Sequence, residues 1–268
     1  MVTRMVTGGH PLVVLTCRPL ILSREYPAMT EELVYYTNPM SRGRIGRWML
    51  EEIGMPYQTV VLGYDGAMKT ADYLAINPMG KVPALRHGDA VVTEGAAICA
   101  YLADAFPAAG LGPRPGERAA YYRWLFFGAG PMEAAVTNKA LGIEIPPERQ
   151  RMVGYGSFET MVDTLDAALR ASLYLAGDRF TAVDIYTGLQ LGWGLQFGSI
   201  PPRPAFTAYW ARISDRESFR RANALDDAAA ARAAADKALA AMPDLTAGSL
   251  AGDFPFEHDA DRSHLSDG

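Results

Sequence analysis

The feature that most limits the folds open to this chain is where its strand-forming runs stop. Between residues 32 and 93 short β-branched and aromatic runs alternate with helical periods, and beyond 115 the strand signals nearly vanish. The first run, Glu-Leu-Val-Tyr-Tyr-Thr at 32–37, is closed by the turn signal Asn38-Pro39. Residues 41–54 set Ile45, Met49 and Ile53 four apart, a helical period, and Gly54 suits its C-terminal cap. Tyr-Gln-Thr-Val-Val-Leu, within 56–63, reads as a second strand. Strand, helix and strand in about thirty residues make a βαβ unit, expected to be right-handed. A short helix over 69–76 ends at Asn77-Pro78. Strands at 82–86 and 90–93 flank the turn His87-Gly88-Asp89, and a helix follows over 94–106. The order is βαβαββα, without the G-x-G-x-x-G of a dinucleotide-binding unit.

Residues 107–115 hold three prolines and two glycines, the composition of an interdomain linker. Helical patterns then cover 116–141, 147–173, 181–195 and 204–213, and an alanine-rich helix is expected over 224–241. The fold class is therefore α/β plus all-α. A domain over 31–106 is joined by the linker 107–115 to a helical bundle over 116–243, with a flexible leader at 1–30 and a flexible tail at 244–268. The leader has one early charge, Arg4, a short apolar stretch and no good small-x-small cleavage site.

Composition narrows the function classes. Of 268 residues, 49% are hydrophobic and 21% charged, which excludes a largely disordered chain. A net charge of −5 with no basic stripe argues against a nucleic-acid partner. No apolar run reaches the ~18 residues of a membrane helix. Two cysteines, Cys17 and Cys99, with no C-x-x-C pair, cannot build a disulfide framework or a zinc site, and they suit a reducing, cytoplasmic compartment.

Weak chemical signals recur in the first half. In Asn77-Pro-Met-Gly-Lys-Val-Pro-Ala-Leu85, the Val82-Pro83 bond is a good place for a cis peptide. That geometry would turn the Val82 backbone outward, to pair with an extended peptide; the alternative is an ordinary proline opening an edge strand. Glu94 and Gly95 stand where the fourth strand meets a helix. Helix N–H groups there bind carboxylates and a glutamate accepts from an ammonium group, so the pair could hold an α-amino acid end; equally, Glu94 could only complement the helix dipole. Ser41 opens the first helix, as a cap or as a donor to a thiolate, which helix N-termini favour. Tyr36 could serve as a phenolic donor instead. Thr181-Ala-Val-Asp184 reads as a capping-box relative and as structural.

Taken in order, these segments resemble the cytosolic glutathione S-transferases, the bacterial ones in particular. The residues are Tyr35-Tyr-Thr-Asn-Pro-Met-Ser-Arg-Gly-Arg44 with Trp48-Met-Leu-Glu-Glu-Ile-Gly54, then Tyr73-Leu-Ala-Ile-Asn-Pro-Met-Gly-Lys-Val-Pro-Ala-Leu85. Thr93-Glu-Gly-Ala-Ala-Ile-Cys-Ala-Tyr-Leu-Ala-Asp104 and Ala176-Gly-Asp-Arg-Phe-Thr-Ala-Val-Asp-Ile185 complete the set, and the resemblance spans residues 31–222. It implies a thioredoxin-like first domain with cis-Pro83, a helical second domain, a homodimer and glutathione as co-substrate, with no metal. It implies that Val82 pairs with the cysteinyl backbone of glutathione. Lys81 and Lys69 would face the glycine carboxylate, Glu94 and the Gly95 N–H would hold the γ-glutamyl end, and Ser41 or Tyr36 would hold the thiol. The chain departs from the family at Gly95, where serine is common, which removes one hydrogen bond worth about 1 kcal/mol.

The acceptor of such a fold lies between the domains. Met40 and Met68 are expected to line it from the first domain, and Tyr121, Tyr122 or Trp124 from the second; Met132 and Trp193 fit the core equally well. The reading that follows is conjugation of the glutathione thiolate to a hydrophobic electrophile. The alternatives are a glutathione-dependent peroxidase or disulfide reductase, and a non-catalytic glutathione-binding or interaction protein.

Overall fold

The computed structural model of the protein describes residues 32–240. The leader (1–30) and the tail (244–268) inferred from the sequence lie outside the described residues, as do residues 241–243 at the end of the helical half. Strand β1 (Leu33–Thr37) leads through a loop to helix α1 (Gly43–Ile53), then β2 (Gln58–Val61). A 3-10 turn (Ala67–Lys69) and α2 (Ala71–Ile76) precede the hairpin β3 (Ala84–His87) and β4 (Ala90–Thr93), and α3 (Gly95–Ala105) follows. The sheet runs β2-β1-β3-β4, with β1 and β2 parallel and β3 antiparallel to β1 and β4. This is the thioredoxin-like arrangement expected, and the all-helical half expected beyond it is also present.

Helices α4 (Arg118–Phe127) and α5 (Glu133–Ala140) are joined through a π turn, Gly128–Met132, that contains Pro131. Proline lacks the N–H that the turn before it would need, so the helical hydrogen bonds are rerouted there. The pattern over 147–173 divides in two: a 3-10 segment, Pro147–Met152, and α6 (Phe158–Ala171), which Ser157 caps by accepting the Thr160 N–H at 3.0 Å. Then come α7 (Ala182–Gln196), α8 (Pro204–Ser214) and α9 (Glu217–Ala240). Helix α9 starts before the alanine-rich stretch that suggested it. Among the described residues no helix is long and apolar enough to cross a membrane.

One apolar core runs through both halves. Tyr35, Ile45, Trp48, Leu50, Ile98 and Leu102 join Tyr121, Leu125, Val183 and Ile185 in it. The Thr181–Asp184 capping box forms as read. The Asp184 carboxylate is buried, and it accepts from the Thr181 N–H at 2.8 Å, the Leu175 N–H at 2.9 Å and the Tyr209 hydroxyl at 2.8 Å. The 107–115 segment is fastened to the second half. Leu111 is buried, its carbonyl accepts the Ala182 N–H at 3.0 Å, and the Arg179 guanidinium donates to the Gly110 and Gly112 carbonyls.

Helix α1 is the part both halves share, and α9 lies along it with ion pairs. Glu52 accepts from Arg216 at 2.5 and 2.8 Å, from Trp48 Nε1 at 3.1 Å and from the Ser218 hydroxyl. Desolvation pushes the Glu52 carboxyl up, but the bonds from Arg216, Ser218 and Trp48 outweigh it and hold the group below its ordinary 4.5. A carboxyl depressed in the folded state stabilises above its unfolded pKa and loses that contribution as pH falls through the folded pKa. Glu52→Gln should therefore lower the unfolding free energy by about 1–3 kcal/mol at neutral pH. In denaturant titrations repeated at successively lower pH, the gap to wild type should close below 4.5.

Candidate functional site

A cleft of about 1090 Å³ opens between the sheet half and the helical half. Its floor is built at the ends of β1 and β4, the loops that a parallel strand pair and a helix N-terminus leave exposed. The loop after β1 is tightly tied. The Asn38 side chain donates to the Leu62 carbonyl at 2.7 Å and accepts the Met40 N–H at 2.8 Å. Ser41 Oγ donates to the Asn38 carbonyl at 2.6 Å and accepts the Gly43 N–H at 2.9 Å. Ser41 thus holds the first N–H of α1 from one position ahead of the Arg42 N-cap, and it also lines the cleft.

Val82 and Pro83 line the same wall, joined by a cis peptide bond. Their loop is held from beneath. The Lys81 carbonyl accepts from the Tyr73 hydroxyl at 2.6 Å and from Asn77 Nδ2 at 2.7 Å. Glu94 and Gly95 complete the floor. Glu94 has a φ of 67°, the one positive value at a non-glycine among the described residues. Such backbone strain costs of order 1–3 kcal/mol and clusters where a side chain must be presented to a ligand. Gly95 has a packing reason to be glycine: a Cβ there would stand 3.2 Å from Cε2 of Tyr186. A serine there would need the Tyr186 ring, on α7, to give by a few tenths of an ångström; burial, with Glu133 nearby, pushes the Tyr186 phenol far above the ordinary range.

The sequence-derived site residues separate into two sets. Ser41, Lys81, Val82, Pro83, Glu94, Gly95, Met40 and Met68 all line the cleft. Tyr36 does not. Successive strand residues face opposite sides, and Tyr35 takes the α1 side, donating to the Gly43 carbonyl at 2.5 Å. Tyr36 is turned beneath the sheet against Tyr73, with ring centroids 5.8 Å apart. Lys69 is also outside: its ammonium donates to the Met79 and Gly80 carbonyls, each at 3.0 Å, and staples the loop before Lys81.

Tyr121, Tyr122 and Trp124 are not part of this cleft either. Tyr121, Trp124 and Leu125 form the inward stripe of α4 and are buried, whereas Tyr122 and Phe126 face outward. Residues three and four apart share a helix face. Met132 is core, as one of its two readings had it. The wall of the cleft on the helical side comes instead from α7 and its C-cap, α8 and α9: Tyr186, Leu189, Trp193 and Phe197, then Trp210, then Phe219, Asn223 and Asp227. Of these the sequence alone points to Trp193. A signal was available in the Gly188-x-x-x-Gly192 spacing. A Cβ on Gly192 would collide with the Trp210 ring, so α8 can lie close enough for Trp210 to reach the cleft. Charges rim the opening: Arg42 pairs with Glu133 at 3.1 Å and Arg44 with Asp227 at 2.7 Å. Among the described residues no three His, Cys, Asp or Glu converge as a metal site.

Comparison with known proteins bears on this geometry. The N-terminal domain model of glutathione S-transferases matches residues 41–105, and the C-terminal domain model of the same family matches residues 156–217. Glutathione S-transferase GST-4.5 of Xanthomonas campestris is 30% identical over 187 residues, covering 66% of this chain and 91% of the relative. Glutathione S-transferase 3 of Zea mays is 29% identical, covering 65% and 84%. Among solved structures, a glutathione transferase from Methylococcus capsulatus superposes with a TM-score of 0.60 at 29% identity, covering 73% of this chain and 98% of that one. A Sulfitobacter homologue with bound glutathione gives 0.60 at 26%, covering 74% and 98%.

The strain at Glu94 is open to a direct test. Glycine accepts a positive φ without a Cβ penalty, whereas alanine does not. In thermal or denaturant unfolding, Glu94→Gly should therefore be more stable than Glu94→Ala by about 1 kcal/mol, the reverse of the order at an unstrained position.

Proposed function

Because the chain belongs to the glutathione S-transferase family, we propose that it binds glutathione on the floor of the cleft and joins its sulfur to a hydrophobic electrophile held by the helical wall. The observation that carries this reading is the position of Ser41: its hydroxyl accepts the first N–H of α1 and lines the same cleft as Val82, Glu94 and Gly95. The Val82 backbone pairs with the cysteinyl unit of the tripeptide. Glu94 takes the γ-glutamyl ammonium, and the Gly95 N–H, at the start of α3, takes its carboxylate. Lys81 faces the glycine carboxylate. The sulfur then lies at the N-terminus of α1, where the helix end and a donated hydrogen bond favour the thiolate.

To give that bond, the Ser41 hydroxyl exchanges its present acceptor, the Asn38 carbonyl, for the sulfur. The thiolate attacks the electrophilic carbon, a carbon–sulfur bond forms, and a leaving group departs with its electron pair or, in an addition, a proton is taken up. Holding both reactants in one cleft supplies the proximity. Trp193, Phe197, Trp210 and Phe219 give that wall an aromatic surface suited to an apolar acceptor. Since a reduced thiol is the nucleophile, the reaction belongs in a reducing compartment, the cytoplasm. We assign the homodimer contact to the outward face of α4, where Tyr122 and Phe126 stand exposed one turn apart.

Calorimetric titration with glutathione should give saturable binding in wild type that Glu94→Ala abolishes. Ser41→Ala should keep binding and lower turnover of a model aryl halide 10-fold or more, in line with the ~1.4 kcal/mol per tenfold step of a lost hydrogen bond to a charged sulfur. A thioether product supports conjugation. Glutathione disulfide as the product, from a peroxide or a disulfide substrate, would replace it with the reductase or peroxidase reading. No binding at millimolar glutathione would leave a protein with the fold and another ligand.

A further inference from the structure

The loop that carries Ser41 is tied to the far end of the chain through one side chain. Arg44, in the first turn of α1, donates from Nε to the Pro39 carbonyl at 2.7 Å, inside that loop. Its two terminal nitrogens reach α9: Nη1 donates to Asn223 Oδ1 at 3.3 Å and Nη2 to Asp227 Oδ1 at 2.7 Å. A guanidinium has a planar fork of donors, so it fixes these acceptors relative to one another in a way a lysine ammonium does not.

The contact belongs to a register. Along α1 the charges run Arg44, Arg47, Glu51, Glu52. Arg216, just before α9, and Arg221, Asp226 and Asp227 on it meet these four, and the two helices pair head to tail. Arg44 meets Asp227 at 2.7 Å, Arg47 meets Asp226 at 3.2 Å, Glu51 meets Arg221 at 3.1 Å and Glu52 meets Arg216 at 2.5 Å. Slipping α9 by a turn would take Asp226 and Asp227 away from the arginines and set Ala222 and Asn223, or Ala230 and Ala231, opposite Arg47 and Arg44, so the ladder fixes where Asn223 and Asp227 arrive. Between the ion pairs the Trp48 ring packs on Phe219, with centroids 4.8 Å apart.

We propose that Arg44 is a positioning residue for the thiolate site: α9, through Asn223 and Asp227, holds the Arg44 fork on the Pro39 carbonyl and thereby fixes the loop that aims the Ser41 hydroxyl. Asn223 and Asp227 also line the cleft, so the same helix that forms part of the acceptor wall sets the geometry of the thiol side. Ser41 needs this support. Its hydroxyl is engaged with Asn38 in the same loop, and turning that bond toward a sulfur is productive only if the loop stays in place.

The proposal rests on glutathione being the thiol bound, and the test separates the two ideas. Ultraviolet absorbance of the bound thiolate is followed against pH at saturating glutathione, in wild type, Arg44→Lys, Asp227→Ala and Arg221→Ala. Arg44→Lys keeps the positive charge, and Asp227→Ala removes a negative one. Electrostatics alone therefore predicts a thiol midpoint unchanged or lower in both. A positioning role predicts the opposite: both midpoints rise by about 0.5–1 unit, with conjugation at pH 6.5 falling about 3- to 10-fold and the glutathione affinity nearly constant. Arg221→Ala breaks a rung at the distant end of the ladder and should leave the midpoint where it is. A midpoint that stays or falls in Arg44→Lys and Asp227→Ala overturns the proposal, as does an equal rise in Arg221→Ala. Should wild type show no thiolate signal on adding glutathione, the reading of the cleft fails and this inference with it.

Discussion

A guanidinium buried as deeply as that of Arg47, 5% exposed, has to be neutralised within the protein. Its donors go to Asp226, to the Tyr57 hydroxyl at 3.0 Å and to Thr59 Oγ1 at 2.7 Å, so one side chain on α1 binds β2, the turn before it and α9 together. Replacing such a pair with apolar residues is often neutral for stability. What the pair supplies here is placement, since removing either member strands a charge in the core. The cleft follows from that placement. Its floor starts at the N-terminus of α1, and one of its walls is the helix that neutralises α1.

The two sides of the cleft differ in how they are made. The floor is backbone: a helix end whose first N–H Ser41 accepts, a cis Val82-Pro83 edge and a strained Glu94. The wall is side chain, a set of aromatic rings on α7, α8 and α9. Backbone sites fix a constant ligand; rings on helices can be exchanged without disturbing them. Tyr186 is where the two meet, since its ring rests against Gly95. A larger residue at 95 is therefore coupled to the size of residue 186.

The sequence made the βαβαββα order legible because each strand and helix there carries its own period and its own turn signal. The floor of the site was legible because its residues sit at the ends of those elements. What failed to show was any choice that depends on the other half of the chain. Tyr35 and Tyr36 are adjacent, and alternation dictates that they face apart without saying which face is covered by α1. Aromatic residues surround α4 on several sides, so its sequence names no inward stripe; the packing of α7 selects Tyr121 and Trp124. The first turns of α9 carry little local signal, since Glu217, Arg220 and Arg221 look like an ordinary solvated segment. The partners of Glu51 and Glu52 lie more than 160 residues away, beyond the reach of a local period.

That distance has a consequence for how the protein is made. The partner of Arg47 is 179 residues downstream, in the last described helix. During synthesis the sheet half emerges with α1 bearing an unneutralised guanidinium and with Trp48 lacking the Phe219 ring that covers it. Contacts of such sequence separation form late, and exposed apolar surface of this kind draws chaperones or self-association. Until α9 has been synthesised, α1 lacks both of these partners, and the helix that finishes the cleft is also the one that ends this exposure.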